Sequence, residues 1–226
     1  SGNKFFTLPG QTMTGIRRTT GPVYGIMWVK QPGEEHSILP QGKAGLQMAA
    51  ERNVLILGKG GFGTELAELL TGAGVYDSVY FLDDGAADCA GRLDDLDKPE
   101  LRALCPDAFA AVGNNTLRLE LIDRLQAAGY RLPVFVHPRA FVCPSAQLEE
   151  GTVVLPLCWV GARTVAGRGC ILNAGASIDH DVTLGDAVHA APGSIMKAGA
   201  RLESCAKVDS GQVIRSPWEM RAGGGR

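Results

Sequence analysis

Apolar residues recur every six positions through the second half of the chain. The run is Val136, Val142, Leu148, Val154, Val160, Ala166, Leu172, Ile178, Leu184, Ala190, Met196, Leu202, Val208 and Ile214, with no polar residue in any slot. At 45% apolar composition, chance gives such a run in a chosen phase roughly once in 10^5 trials. A second register, four residues after each slot, holds mostly small residues: Ala140, Ala146, Thr152, Cys158, Thr164, Cys170, Ala176, Val182, Val188, Ser194, Ala200 and Ala206. Neither a helix nor a plain strand has this period. A large inward residue followed by a small one is the hexapeptide signature of a parallel β-helix. Three hexapeptides close one triangular coil, so Val142, Val160, Ile178, Met196 and Ile214 are predicted to form one internal stack. Coils rise by about 4.8 Å, and the repeat supplies a prism about 20 Å tall.

Residues 48–135 carry a different pattern. Apolar strands are predicted at Asn53–Leu57, Ser78–Leu82, Ala108–Val112 and Leu132–Val136. Amphipathic helices are predicted at Thr64–Gly72, capped by Thr64, and at Thr116–Ala128, closed by Gly129. Alternating strands and helices imply a small Rossmann-like parallel α/β domain, with ligands at the carboxyl ends of its strands. The expected organisation is an unassigned extension over 1–47, this domain over 48–135, the solenoid over 136–214 and a tail over 215–226. Within the extension, Gly25–Val29, which includes Trp28, fits either a short strand or an irregular packed segment.

Twenty-two basic residues against 24 acidic ones leave no electrostatic footprint for nucleic acid or an anionic membrane. No apolar run reaches the length of a membrane span, and no secretory signal is visible. The six cysteines lack metal-ligand spacing. Cys158 and Cys170 fall on the small-residue register as core fillers, which suits a cytoplasmic protein.

Three turns and one corner carry candidate chemistry. Gly58, Gly60 and Gly63 form G-x-G-x-x-G between a strand and a helix, and Asp83 follows Gly63 by 20 residues. Glycines there let backbone approach a pyrophosphate. A structural turn, a dinucleotide and a nucleotide-sugar are all compatible, although the unit is only half of a dinucleotide fold. In the repeat, Asp179, His180 and Asp181 follow the inward Ile178 and so fall at a coil edge. A neutral imidazole there can accept a proton from an amine or hydroxyl, and an adjacent carboxylate orients it. His189 lies half a coil further on. His137 reads as a structural cap, and His36 carries no signal.

Together these segments resemble the left-handed β-helix sugar acyltransferases, of the UDP-4-amino-sugar N-acetyltransferase and sialic acid O-acetyltransferase type. The resemblance rests on Gly58–Gly63, Phe81–Asp84, Val112–Asn115, His137-Pro138 and Ile171–Gly185, in that order, and covers residues 53 to about 214. It implies a left-handed parallel β-helix of hexapeptide repeats, assembled as a homotrimer that binds acetyl-CoA between subunits, with no metal. It implies a UDP-sugar or related sugar substrate held by Gly60, Gly61, Phe62, Asp83, Asp84 and Gly113, with Asn173 near the acceptor. His180 matches the general base and Asp181 its carboxylate. His189, the backbone N–H of Ala198 and Ser210 match coenzyme contacts, the N–H of Ala198 facing the thioester oxygen. Phe62 stands where the family turn usually carries histidine, and the repeat stops near Ile214, short of the family's usual coils. An inactive nucleotide-sugar or NAD-binding module on a shortened solenoid is therefore the alternative. A metal-dependent hexapeptide trimer would need three converging histidines, and the repeat offers two.

Overall fold

The computed structural model describes residues 25–27 and 51–217. Strand β1 (Gly25–Met27) comes first. The α/β unit follows, with β2 (Asn53–Leu57), α1 (Gly61–Gly72), β3 (Ser78–Leu82), α2 (Pro99–Leu104), β4 (Asp107–Ala110) and α3 (Asn115–Ala127). Its sheet is parallel, in the order β3-β2-β4. Alternate residues of β2 serve opposite faces. Val54 and Ile56 pack with Leu66 and Leu70 of α1, whereas Leu55 and Leu57 pack with Leu121 and Leu125 of α3.

The repeat folds as a parallel solenoid of about four turns. Its first strand is β5 (Val134–Val136), followed by β6 (Phe141–Val142) and then a two-residue strand in every hexapeptide to β18 (Val213–Ile214). Each six-residue slot is the inward second residue of its strand, as in β12 (Ser177–Ile178), β13 (Thr183–Leu184) and β14 (His189–Ala190). Three sheets result. One contains β5 and β14, a second contains β13, and the third contains β6 and β12. Registers confirm the stacking, with Ile178 paired to Val160 below and Met196 above. Both Cys158 and Cys170 are buried in the solenoid core.

The corners show why the small register exists. From Gly151 to Gly211 every sixth residue has positive φ, one per corner. Six of these eleven are glycine; the others are Leu157, Arg163, Asp181, Ala187 and Cys205. The left-handed pose turns the chain by a third of a coil, and the small residue that follows lets adjacent corners close up.

Two expectations need correction. The segment Leu132–Val136 does not join the α/β sheet: its strand β5 pairs with Val153-Val154 of the next coil, because its hydrogen-bonding edge continues the solenoid ladder. It is covered on the other side by β1, antiparallel, which closes the end of that sheet. Thr64 is not the cap of α1. The helix starts at Gly61 with Gly60 as N-cap, and Thr64 N–H already donates to the Gly60 carbonyl. Trp28 lies outside the described residues.

The two units share a core. Phe135, Val153 and Ile171, facing outward from the first solenoid sheet, pack in the same cluster as Val54, Ile56 and Phe109. Helix α3 then runs down one corner column of the solenoid, one contact per coil. Asn115 Nδ2 donates to the carbonyls of Cys205 and Ala206. Arg118, 1% exposed, donates to the carbonyls of Ala187, Gly169 and Val112 and to Asn115 Oδ1. Ile122 lies where any Cβ on Gly169 would fall. Gln126 donates to Glu150 and accepts from Arg168. Helix turns of about 5.4 Å meet rungs of about 4.8 Å, which is close enough for this alignment.

Candidate active site

His180 stands half-exposed at the corner between β12 and β13. Its Nδ1 lies 2.6 Å from Asp181 Oδ2. Asp181 is in turn held by Arg163, whose Nε and Nη2 donate to Oδ1 and Oδ2 at 2.6 and 2.7 Å. Arg163, and after it His180, hold the Asp181 carboxyl down to about 2. A permanently ionised carboxylate cannot donate, so Nδ1 carries the proton and donates to it. In the neutral ring Nε2 is then left with a lone pair. One other carboxylate approaches the ring, with Asp179 Oδ1 4.0 Å from Nε2. Asp179 also accepts from the His180 backbone N–H, at 2.7 Å, and so fixes the corner. Ala198 sits one coil above, and its backbone N–H meets no acceptor among the described residues.

A second group lies on the sheet that the α/β unit covers. His189 is on β14, and its Nε2 is 3.4 Å from Asn173 Nδ2. Nδ1 of His189 is buried without a partner. Burial, then the charges of Arg118 and Lys207, push its pKa down to about 4, so the ring is neutral. Asn173 Oδ1 accepts from the Ala174 N–H, which turns its amide nitrogen towards the ring. Ser210 is exposed, two coils above Ala174 on the same corner column.

The third group is the glycine-rich turn. Gly58 has φ +98, and any Cβ on Gly63 would collide with the Gly58 carbonyl. Those two glycines are demanded by the fold. A Cβ on Gly60, Gly61 or Gly113 would meet nothing, so these three face open space at the carboxyl ends of β2 and β4. Phe62 instead packs against the apolar cluster under α1. Asp83 accepts from the backbone N–H groups of Lys59, Gly85 and Ala86, and these bonds lower its pKa. It therefore locks the turn to the loop after β3, with its oxygens already engaged. Asp84 is half-exposed; it accepts from the Leu93 N–H and lies 3.6 Å from Arg92.

Within one chain, His180 is joined to Asp181 and Asn173 to His189, but the two groups are separate. His180 occupies the corner opposite the sheet that carries His189 and the α/β unit. Ala198 goes with the first group; His189 and Ser210 do not. Sequence reasoning missed Arg163 and Arg118. Arg163 was recoverable as the residue stacked under Asp181, and Arg118 as part of the Asn115, Arg118, Ile122, Gln126 stripe at helical spacing.

Known proteins resemble much of the chain. The PglD N-terminal domain family matches residues 53–125. UDP-N-acetylbacillosamine N-acetyltransferase of Bacillus subtilis is 35% identical over 111 residues, 46% of this chain and 51% of that protein. GDP-perosamine N-acetyltransferase of Escherichia coli O157:H7 is 26% identical over 46% of this chain and 48% of that protein. The matched regions thus span about half the length of these curated relatives. Among solved structures, the acetyltransferase domain of PglB from Neisseria gonorrhoeae, in complex with acetyl coenzyme A, superposes with a TM-score of 0.67 at 34% identity. That superposition covers 74% of this chain and 83% of that one. A mutant of perosamine N-acetyltransferase from Caulobacter crescentus, with CoA and GDP-perosamine, gives 0.66 at 26% identity over 73% and 89%.

Proposed function

We propose, for a chain that belongs to the left-handed β-helix sugar acetyltransferase family, that it moves an acetyl group from acetyl-CoA to an amino or hydroxyl group of a nucleotide-sugar. The observation that carries this reading is the His180–Asp181 pair, with Nδ1 committed to a carboxylate and Nε2 available at a solvent-facing corner. His180 would take the acceptor's proton at Nε2 as the acceptor attacks, Asp181 would stabilise the imidazolium, and the proton would pass to the CoA thiolate released when the thioester C–S bond breaks. Bound acetyl-CoA would supply an acetyl thioester as the electrophile. The residues fit it: the unengaged N–H of Ala198 can donate to an oxygen that gains negative charge, and the orphaned Nδ1 of His189 can serve a polar group of the coenzyme. Ser210 is assigned a further coenzyme contact. Gly60 and Gly61 would face the substrate's phosphates and Gly113 a further part of the substrate, while Phe62, packed under α1, would leave the usual polar contact unmade. Asp83 would shape the nucleoside pocket by pinning its turn, Asp84 would contact the nucleoside, and Asn173 would lie beside the acceptor.

The separation of the His180 corner from the α/β unit within one chain favours a homotrimer in which the seam between subunits completes the site. Exposed apolar side chains on the third sheet support this. Phe141 and Trp159 stack with ring centres 4.7 Å apart at one end of the sheet, and Ile195 and Val213 lie exposed at the other end, beyond Ser177. The six unpaired cysteines suit a cytoplasmic enzyme.

The test is release of CoA thiol from acetyl-CoA in the presence of UDP-4-amino and GDP-4-amino sugars. His180→Ala is expected to lower kcat by about 10^2-fold or more. Unchanged turnover would remove His180 as the base. A parent enzyme that binds the nucleotide-sugar yet never releases thiol would favour the inactive binding module.

A further inference from the structure

We propose that Arg163 is a positioning residue that acts through Asp181, fixing how the carboxylate meets the His180 ring and how much of its charge the ring feels. The inference rests on His180 serving as the base. Three polar residues form a column up this corner, one per coil. The Arg163 N–H donates to Ser145 Oγ at 3.1 Å, and the Arg163 guanidinium grips Asp181 in the coil above. Arg163 and Asp181 share the same corner pose, with φ +58 and +60. Asp tolerates the left-handed region, but Arg rarely adopts it. Leu157, Ala187 and Cys205 hold the same pose, so it belongs to the solenoid corner, and the inference rests on the guanidinium contacts.

A carboxylate next to its histidine in sequence has few constraints of its own on an exposed turn. The planar fork of Arg163 binds both oxygens at once and so fixes the carboxylate plane. Oδ2 accepts from Arg163 Nη2 and from His180 Nδ1 together. Orientation therefore comes with partial neutralisation, since a cation behind the carboxylate opposes protonation of the ring. Among the described residues, Asp181, with Arg163 behind it, and Asp179 carry charge close to the ring, and Lys197 follows on the rung above Asp179. Removing Arg163 should leave a ring that is more basic but poorly aimed.

The experiment compares Arg163→Gln, which loses charge and fork, with Arg163→Lys, which keeps the charge and loses the fork. Arg163→Gln is expected to lower kcat by about 10-fold or more, with KM for both substrates within about two-fold. It should also move the acid limb of the kcat/KM profile upward by roughly half a unit. Arg163→Lys should lose rate with the limb unmoved. NMR titration of the His180 ring in folded Arg163→Gln protein reads the coupling without turnover, and its midpoint should rise. An unshifted ring, or parental kcat in Arg163→Gln, would overturn the role of Arg163 while leaving the base intact. Parental turnover in His180→Ala would instead overturn the base reading, whatever Arg163→Gln does.

Discussion

Asp181 and His189 respond to pH in opposite parts of the scale. The folded pKa of Asp181 is depressed from 3.8 to about 2. The stabilisation from its clamp is complete above the unfolded value and is lost as pH falls from 3.8 through about 2. No step near neutrality belongs to it. His189 is depressed from 6.5 to about 4 by burial first and then by Arg118 and Lys207. Its unfolded form binds protons more readily, so its contribution is complete above 6.5 and declines as pH falls towards 4. Partial exposure limits the loss to no more than about 2 kcal/mol. Urea unfolding at pH 7 and pH 5 should show a smaller acid-induced loss in His189→Gln than in the parent, and equal losses would exclude His189 as the cause. His180 and Asp181 were legible in the sequence because they are adjacent and follow an inward slot. Arg163 was not, since it lies 18 residues earlier and only the coil brings it underneath.

The solenoid rung is where sequence and structure agree most closely. An inward residue, a left-handed corner and a small residue repeat so often that the register has no competitor. Gly161 shows how tight the stacking is. A Cβ there would lie 2.6 Å from the Asp179 carbonyl carbon and 2.6 Å from the His180 nitrogen. Both are backbone atoms and cannot rotate away. Gly161→Ala should therefore cost about 3 kcal/mol and lift the His180 turn, lowering kcat as well as the melting temperature. Retained activity with a parental melting temperature would show that the rung gives way more easily. The strand Val134–Val136 was misplaced because an apolar run does not reveal its partner. Its affiliation depends on Val153 and Val154, a full coil away. Likewise the start of α1 was hidden by Gly61 and Gly63, poor helix formers in isolation, of which Gly63 is packed against Gly58 and Ala111.

Joining the two units depends on α3, and the sequence showed the helix without showing its berth. Arg118 contributes most: it is buried and donates to three carbonyls and one amide oxygen from both units. Arg118→Met should cost about 3 kcal/mol by leaving those acceptors without donors, and Arg118→Lys should recover little because an ammonium cannot span them. Denaturant unfolding measures both, and a loss below about 1 kcal/mol would show that water replaces the guanidinium. The alignment of α3 with the corner column behaves like a vernier. Two rulers graduated at about 5.4 and 4.8 Å coincide for a few marks and then drift out of step. Asn115 and Gln126 sit near the two ends of that coincidence, so a longer helix would find no further rungs to hold. Storeys added to the tower would rise past the helix unattached, and its height could change without disturbing the four corners already held.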